Sequence, residues 1–230
     1  RIVGVKFVIS EKFGPKFALD IGGTIVYAEY AAGTGTNTLT FTYTVNSSES
    51  TDTNGISIPV NALSAGNGSI KDAAGNAANL NTSSASDNIN FKVDAQAPIV
   101  TNVGPVAYTG AQNLTLNAGD TVTVDVNFND IVNVTGSAGN WPQLDLVIGS
   151  TTVKADYLSG SGTSTLKFKY TILAGQTDTD GIIVSSNGLS LNGSTILDPA
   201  GNETQRNTDG YVYLRSEERR VGKECLRLCR

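Results

Sequence analysis

Asp178-Thr-Asp-Gly-Ile-Ile-Val-Ser-Ser-Asn-Gly-Leu-Ser-Leu-Asn-Gly-Ser-Thr-Ile-Leu-Asp-Pro-Ala-Gly-Asn202 is the stretch that decides the fold, because nearly the same block already stands at Asp52 to Asn76. Asp52-Thr-Asn-Gly-Ile56 matches Asp178-Thr-Asp-Gly-Ile182. Asn61-Ala-Leu63 matches Asn187-Gly-Leu189, and Ile70-Lys-Asp-Ala-Ala-Gly-Asn76 matches Ile196-Leu-Asp-Pro-Ala-Gly-Asn202, always at an offset of 126. A constant offset across three separated segments identifies two copies of one module.

Upstream of each block the pattern has period two, the mark of a half-buried strand. Val3, Val5, Phe7 and Ile9 align with Val122, Val124, Val126 and Phe128. After these the first copy turns tightly between Phe13 and Pro15, where the second carries an extra loop, Val134 to Trp141, whose tryptophan is expected to cap the edge of the core. Phe17, Leu19 and Ile21 then align with Leu144, Leu146 and Ile148, and Gly22-Gly23 and Gly149-Ser150 close hairpins. Val26-Ala28-Tyr30 answers Val153-Ala155-Tyr157, and Leu39, Phe41, Tyr43 and Val45 answer Leu166, Phe168, Tyr170 and Ile172 as the strongest strand of each copy. The repeated block supplies Ile56-Ile58 or Ile182-Val184, and a last strand is expected at Ile89-Phe91 or Tyr211-Tyr213. Gly33-Thr-Gly35 and Gly160-Ser-Gly162 lie between strands, whereas a phosphate-binding loop needs a helix after it, so both read as turns.

About seven short strands per copy, with turn signals every eight to twelve residues, predict an all-β chain of two tandem immunoglobulin-like β-sandwich domains. The domains are repeat 1 at residues 1–93, which begins part-way into its module, and repeat 2 at residues 99–214. Residues 94–98, Asp-Ala-Gln-Ala-Pro, form a short proline-ended linker. Residues 99–117 carry the opening strand or strands of the second repeat and have no counterpart in the first, which is therefore expected to expose a sheet edge and to melt first.

Composition agrees with strands and tight turns. Glycines number 25 and aromatic residues make up 7% of the chain. Histidine is absent, which removes the commonest general base and the commonest imidazole ligand and argues against an enzyme. The sequence also starts without Met and has no apolar run long enough to span a membrane, so it reads as an internal fragment of a longer protein, with no membrane insertion.

Residues 215–230 differ from the rest in charge and in holding both cysteines, Cys225 and Cys229. Residues 215–225 resemble translated read-through of a sequencing adapter, and the tail is set aside as non-native. It holds six of the 16 basic and three of the 21 acidic residues, so the remainder carries a net charge of −8. That part is acidic and free of cysteine, which excludes a disulfide framework and gives no positive field for nucleic acid.

With Asp178-Thr-Asp-Gly-Ile182, Thr195-Ile-Leu-Asp-Pro-Ala-Gly-Asn202 and Val93-Asp-Ala-Gln-Ala-Pro98 assembled, residues 1–214 resemble the bacterial Ig-like repeats found in tandem in large surface or secreted adhesins. The resemblance implies a non-enzymatic stalk segment outside the cell, at the bacterial surface. Its partners would be neighbouring repeats of the same chain, with a host or cell-surface ligand as a further partner. The rival readings are a ligand- or glycan-binding module and an accessory domain of a secreted enzyme.

Calcium rigidifies some such arrays, and oxygen-rich side chains recur where a cation site is expected. Asp52, Asn54, Asp72 and Asn76 in the first copy and Asp178, Asp180, Asp198 and Asn202 in the second are the candidate Ca2+ ligands, together with Asp94 in the linker. The same residue types also close turns by bonding their own backbone. Paired carboxylates on one turn do not make the two-sided cleft that glycoside hydrolysis needs, so no catalytic residue is assigned.

Overall fold

The computed structural model describes residues 8–9, 14–112 and 115–206; the expectations at Val3, Val5, Phe7, Tyr211, Tyr213 and the 215–230 tail lie outside them. Among the described residues the chain is all-β, without a helix, in antiparallel sheets. It divides into two compact units, Arg1–Gln96 and Ala97–Arg230.

The first unit contains β1 (Val8–Ile9), β2 (Lys16–Ile21), β3 (Thr24–Ala32), β4 (Thr40–Thr42), β5 (Leu63–Ser64) and β6 (Ile70–Lys71). Four of these form a sheet in the order β4-β3-β2-β5, and β1 pairs with β6. The β2–β3 hairpin is closed by two residues, with Ile21 opposite Thr24, and both glycines of the turn take positive φ, 55° at Gly22 and 86° at Gly23. An L-residue rarely adopts that conformation, which is why glycine stands there.

The second unit contains β7 (Val100–Thr109), β8 (Thr121–Thr135), β9 (Gln143–Ile148), β10 (Thr151–Ser159), β11 (Thr163–Thr171), β12 (Ile183–Ser190) and β13 (Thr195–Leu197). Their order is β12-β9-β10-β11-β8-β13, with β7 also paired to β8. β8 is the organising strand. Its first half lies between β7 and β11, and its last three residues pair with β13. Val122, Val124, Val126, Phe128 and Val132 of β8 are buried with Leu144 and Leu146 of β9, Leu166 and Phe168 of β11, Val184 and Leu189 of β12, and Ile196 of β13 in one core. The period-two alternation of apolar residues supplies this face directly. At the start of the unit Ile99 bridges Gln205 in parallel, and the Pro98 carbonyl accepts the Gln205 N–H at 2.7 Å and the Thr204 hydroxyl at 3.1 Å.

Equivalent residues make equivalent pairings in the two units. Lys16 and Phe17 face Ser64 and Leu63 as Gln143 and Leu144 face Ser190 and Leu189, and Asp20 faces Ser57 as Val147 faces Ile183. Asn61 and Asn187 both take positive φ, 57° and 51°, where this edge strand departs from regular pairing.

Three expectations are corrected by the pairing. Ile9 stands opposite Ile70 as Val134 stands opposite Ile196, so the counterpart of Ile9 is Val134, not Phe128. The alignment by alternation alone slipped, because a period of two fits several registers equally well. The strand expected over Leu39, Phe41, Tyr43 and Val45 is regular only at Thr40–Thr42, whereas β11, which has neighbours on both sides, keeps nine residues. Finally, Ile89 and Phe91 form no strand and are 61% and 62% exposed; Asp52 and Val93 pair instead.

Candidate functional site

The acidic side chains of the repeated block belong to turns, and their geometry recurs. Asp52 is 3% exposed; its Oδ2 accepts the Gly22 N–H at 3.0 Å and its Oδ1 the Gly55 N–H at 2.8 Å. Asp178 does the same, Oδ2 with Gly149 at 2.9 Å and Oδ1 with Gly181 at 2.8 Å and Asp180 at 3.1 Å. Each carboxylate joins the hairpin turn to a loop 29 or 30 residues further on. The approach requires glycine at the hairpin, since a Cβ on Gly22 would lie 2.8 Å from the Thr51 carbonyl and one on Gly149 2.5 Å from that of Thr177. Burial pushes the Asp178 carboxyl up, but the amides of Gly149, Gly181 and Asp180 outweigh this and hold it below the ordinary 3.8.

The second acidic position closes a smaller loop. Asp198, 3% exposed, accepts the Asn202 N–H at Oδ1 and the Asn202 side-chain amide at Oδ2, both at 2.8 Å, while its own N–H reaches the Asn202 carbonyl at 3.1 Å. Asp72 repeats this with Asn76 at 2.8 and 2.9 Å and adds the Ala74 N–H at 2.9 Å. The Asn76 side chain first, then the backbone amides, hold the Asp72 carboxyl below its ordinary value. In the linker, Asp94 Oδ1 accepts the Gln96 N–H at 3.2 Å, and Gln96 donates its side-chain amide to the Glu49 carbonyl at 2.7 Å, so this part of the linker folds onto the first unit.

The first unit holds an acidic concavity, a depression of about 130 Å³ lined by Asp20, Gly22, Gly23, Asp52, Asn54, Ser57 and Asp87. The sequence singled out Asp52 and Asn54 but missed Asp20, Ser57 and Asp87. Asp20 and Ser57 occupy the positions of Val147 and Ile183, so repeat comparison shows an apolar pair exchanged for a polar one without revealing that it lines a hollow. The depression's polar groups are largely taken up by one another and by the turn. Asp20 accepts the Gly23 N–H at 2.9 Å, Asp87 accepts the Asn54 amide at 2.5 Å, and both Asp52 oxygens are held by glycine amides.

Calcium needs six to eight oxygens directed at one point. Among the described residues no three Asp or Glu side chains form a group that could hold a metal ion, and Asp52, Asp72, Asp94, Asp178 and Asp198 each spend oxygens on N–H donors, while Asp180 donates its backbone N–H to Asp178 Oδ1 at 3.1 Å. The residues present are a poor fit to a calcium cage. What the arrangement does chemically is bind the chain to itself.

Trp141 stacks on Tyr157 with ring centroids 5.7 Å apart, Tyr157 meets Phe168 edge-on at 6.0 Å, and the Asn192 amide donates to the Trp141 carbonyl at 3.2 Å. The indole therefore continues the core outward at its rim.

Comparison of the chain with known protein families, curated proteins and solved structures finds no match.

Proposed function

We propose that the chain is a structural segment of a large repetitive extracellular bacterial adhesin, built of two immunoglobulin-like β-sandwich repeats and without catalytic activity. One observation carries this reading: the acidic block recurs with the same hydrogen bonds in both units, and in both it is used to close turns. A motif kept for chemistry would aim its carboxylates at a cleft. Here they are aimed at backbone amides, the arrangement expected where repeated units only have to be stiff.

The reading is tested on intact cells of the source organism with an antibody raised against residues 1–206. Exposure to an external protease should remove the signal while cytoplasmic markers survive. Antigen that is protected on intact cells and released only by lysis would overturn it. Reading the coding sequence outward in both directions is a second check, because a spacer predicts further copies at a spacing of roughly 100 to 130 residues, within ordinary domain sizes. A flanking catalytic domain with no further copies would instead support the accessory-domain reading.

A further inference from the structure

Asn-Gly is the dipeptide in which an asparagine side chain is most open to attack by its own backbone, because glycine puts no side chain beside the attacking nitrogen. The chain has four such pairs, Asn54-Gly55, Asn67-Gly68, Asn187-Gly188 and Asn192-Gly193. The attack needs a carboxamide free to swing its Cγ over the next nitrogen, and a nitrogen that can lose its proton to solvent.

Three of the four pairs are held. Asn54 donates its amide to Asp87 at 2.5 Å, and the N–H of the buried Gly55 is bound to Asp52 Oδ1 at 2.8 Å. Gly188 is buried and packed so closely that a Cβ on it would lie 2.8 Å from the Ser185 carbonyl and 3.1 Å from that of Asp145. Asn192 donates its amide to two carbonyls of the Trp141 loop, Gly139 and Trp141, each at 3.2 Å.

Asn67 has no such restraint. It is exposed, and its carboxamide makes no hydrogen bond among the described residues. One bond restrains the nitrogen that follows, since the N–H of the partly exposed Gly68 closes a turn on the Ala65 carbonyl at 3.1 Å. Water replaces an acceptor at such a site at little cost. The second unit supplies the contrast within the same turn. Leu191–Ser194 is closed by the Ser194 N–H on the Leu191 carbonyl at 2.9 Å, and Gly66 and Asn192 take the equivalent positive-φ position at 59° and 49°. There the asparagine is tied to a neighbouring loop, and in the first unit it is not.

We propose that Asn67 is a site of spontaneous covalent modification, deamidation through a cyclic imide, and that the folded chain confines the reaction to this one of its four Asn-Gly pairs. The Gly68 nitrogen, having given its proton to solvent, adds to Asn67 Cγ; the new N–Cγ bond forms as the Cγ–Nδ2 bond breaks, and the amide leaves as ammonia. Water then opens the succinimide at either carbonyl, giving aspartate or isoaspartate, so that one water is consumed and one ammonia released with no oxidant or cofactor. Each conversion places a new negative charge between β5 and β6, and isoaspartate also lengthens the main chain by a methylene just ahead of the buried Ile70. This holds whether or not the chain acts as a spacer.

The full 230-residue chain is aged at mildly alkaline pH, folded and in urea, and followed by peptide mapping with mass spectrometry. In the folded chain the peptide holding Asn67 should show the mass gain of amide-to-acid conversion about tenfold faster than those holding Asn54, Asn187 or Asn192, the ratio that one or two retained hydrogen bonds impose. In urea the four rates should converge. The aged, folded chain should accept methyl groups from an isoaspartyl methyltransferase, and Asn67→Gln, whose longer side chain disfavours the imide, should not. Two results would overturn the proposal: a folded chain in which another Asn-Gly pair converts first, or one in which Asn67 converts no faster than Asn192 while both react in urea, meaning that the Ala65 turn bond shields Gly68 as well as the loop shields Asn192.

Discussion

Asp178 and Asp52 occupy the same place in two turns and differ in exposure, which makes them a useful pair. Removing Asp52 leaves the buried Gly55 amide and the more open Gly22 amide without their acceptors. Asp52→Ala should therefore cost about 2–3 kcal/mol in urea unfolding, near the upper end for an orphaned buried donor. Asp178→Ala, at a more open site, should cost about 1–2 kcal/mol. Acid sensitivity follows from the same bonds. The folded chain holds the Asp178 and Asp72 carboxyls below their ordinary 3.8, so their stabilisation is complete above that value and is lost as the pH falls through the lower folded values. Melting temperature should thus be flat above about pH 5 and fall below about pH 4, with a shallower fall in Asp178→Asn. An acid limb of equal steepness in that variant would show that these amides do not bind the charged form preferentially. None of this was legible from the block alone. Aspartates in a turn read equally well as ligands or as caps, and the deciding donors, Gly22 and Gly149, stand 30 and 29 residues earlier.

At the scale of elements the two counterparts differ in length, three residues in β4 and nine in β11, and among the described residues β4 pairs with β3 alone whereas β11 pairs with both β8 and β10. Phe168 is fully buried and Phe41 is not, though both meet an aromatic ring of the adjoining strand, Tyr157 at 6.0 Å and Tyr30 at 6.1 Å. Phe168→Ala should cost about 3–5 kcal/mol, as expected for a large cavity in a closed core. Phe41→Ala should cost about 1–2 kcal/mol, in proportion to the smaller area it takes from water. Chemical denaturation of the two variants checks the contrast, and equal losses would mean that the first sheet is as well covered as the second. Strand type and hairpin positions could be read from alternation and paired glycines, and the pairings of β2, β3 and β5 repeat those of β9, β10 and β12. Strand length could not. Leu39–Val45 alternates as cleanly as Leu166–Ile172, but a strand is defined by its partner, and the partner lies elsewhere in sequence. The register of Ile9 failed for the same reason, being fixed by Ile70, 61 residues away.

For the molecule as a whole, the uneven distribution of buried side chains sets the order of unfolding. Among the described residues, the largest fully enclosed side chains are Phe168, Leu144, Leu146, Leu166, Ile196 and four valines of β8 in the second unit, against Ile21 and Pro15 in the first. Differential scanning calorimetry should resolve two transitions, with proteolysis during the first cutting within residues 14–96. Chelation should leave both transitions in place, because N–H groups already satisfy the loop carboxylates; a drop of several degrees on adding EDTA would reveal a cation site that the described residues do not form. The parallel contact between Ile99 and Gln205 has a mechanical consequence. Because the two segments run side by side in the same direction, tension that draws the entering chain one way and the leaving chain the other slides them lengthwise and does not peel them apart. The Pro98 carbonyl, gripped by both the Gln205 amide and the Thr204 hydroxyl, then carries the load in shear. Rupture under force is governed by the barrier to unfolding and not by equilibrium stability. A clamp of this kind lets a domain of modest thermal stability resist a pull.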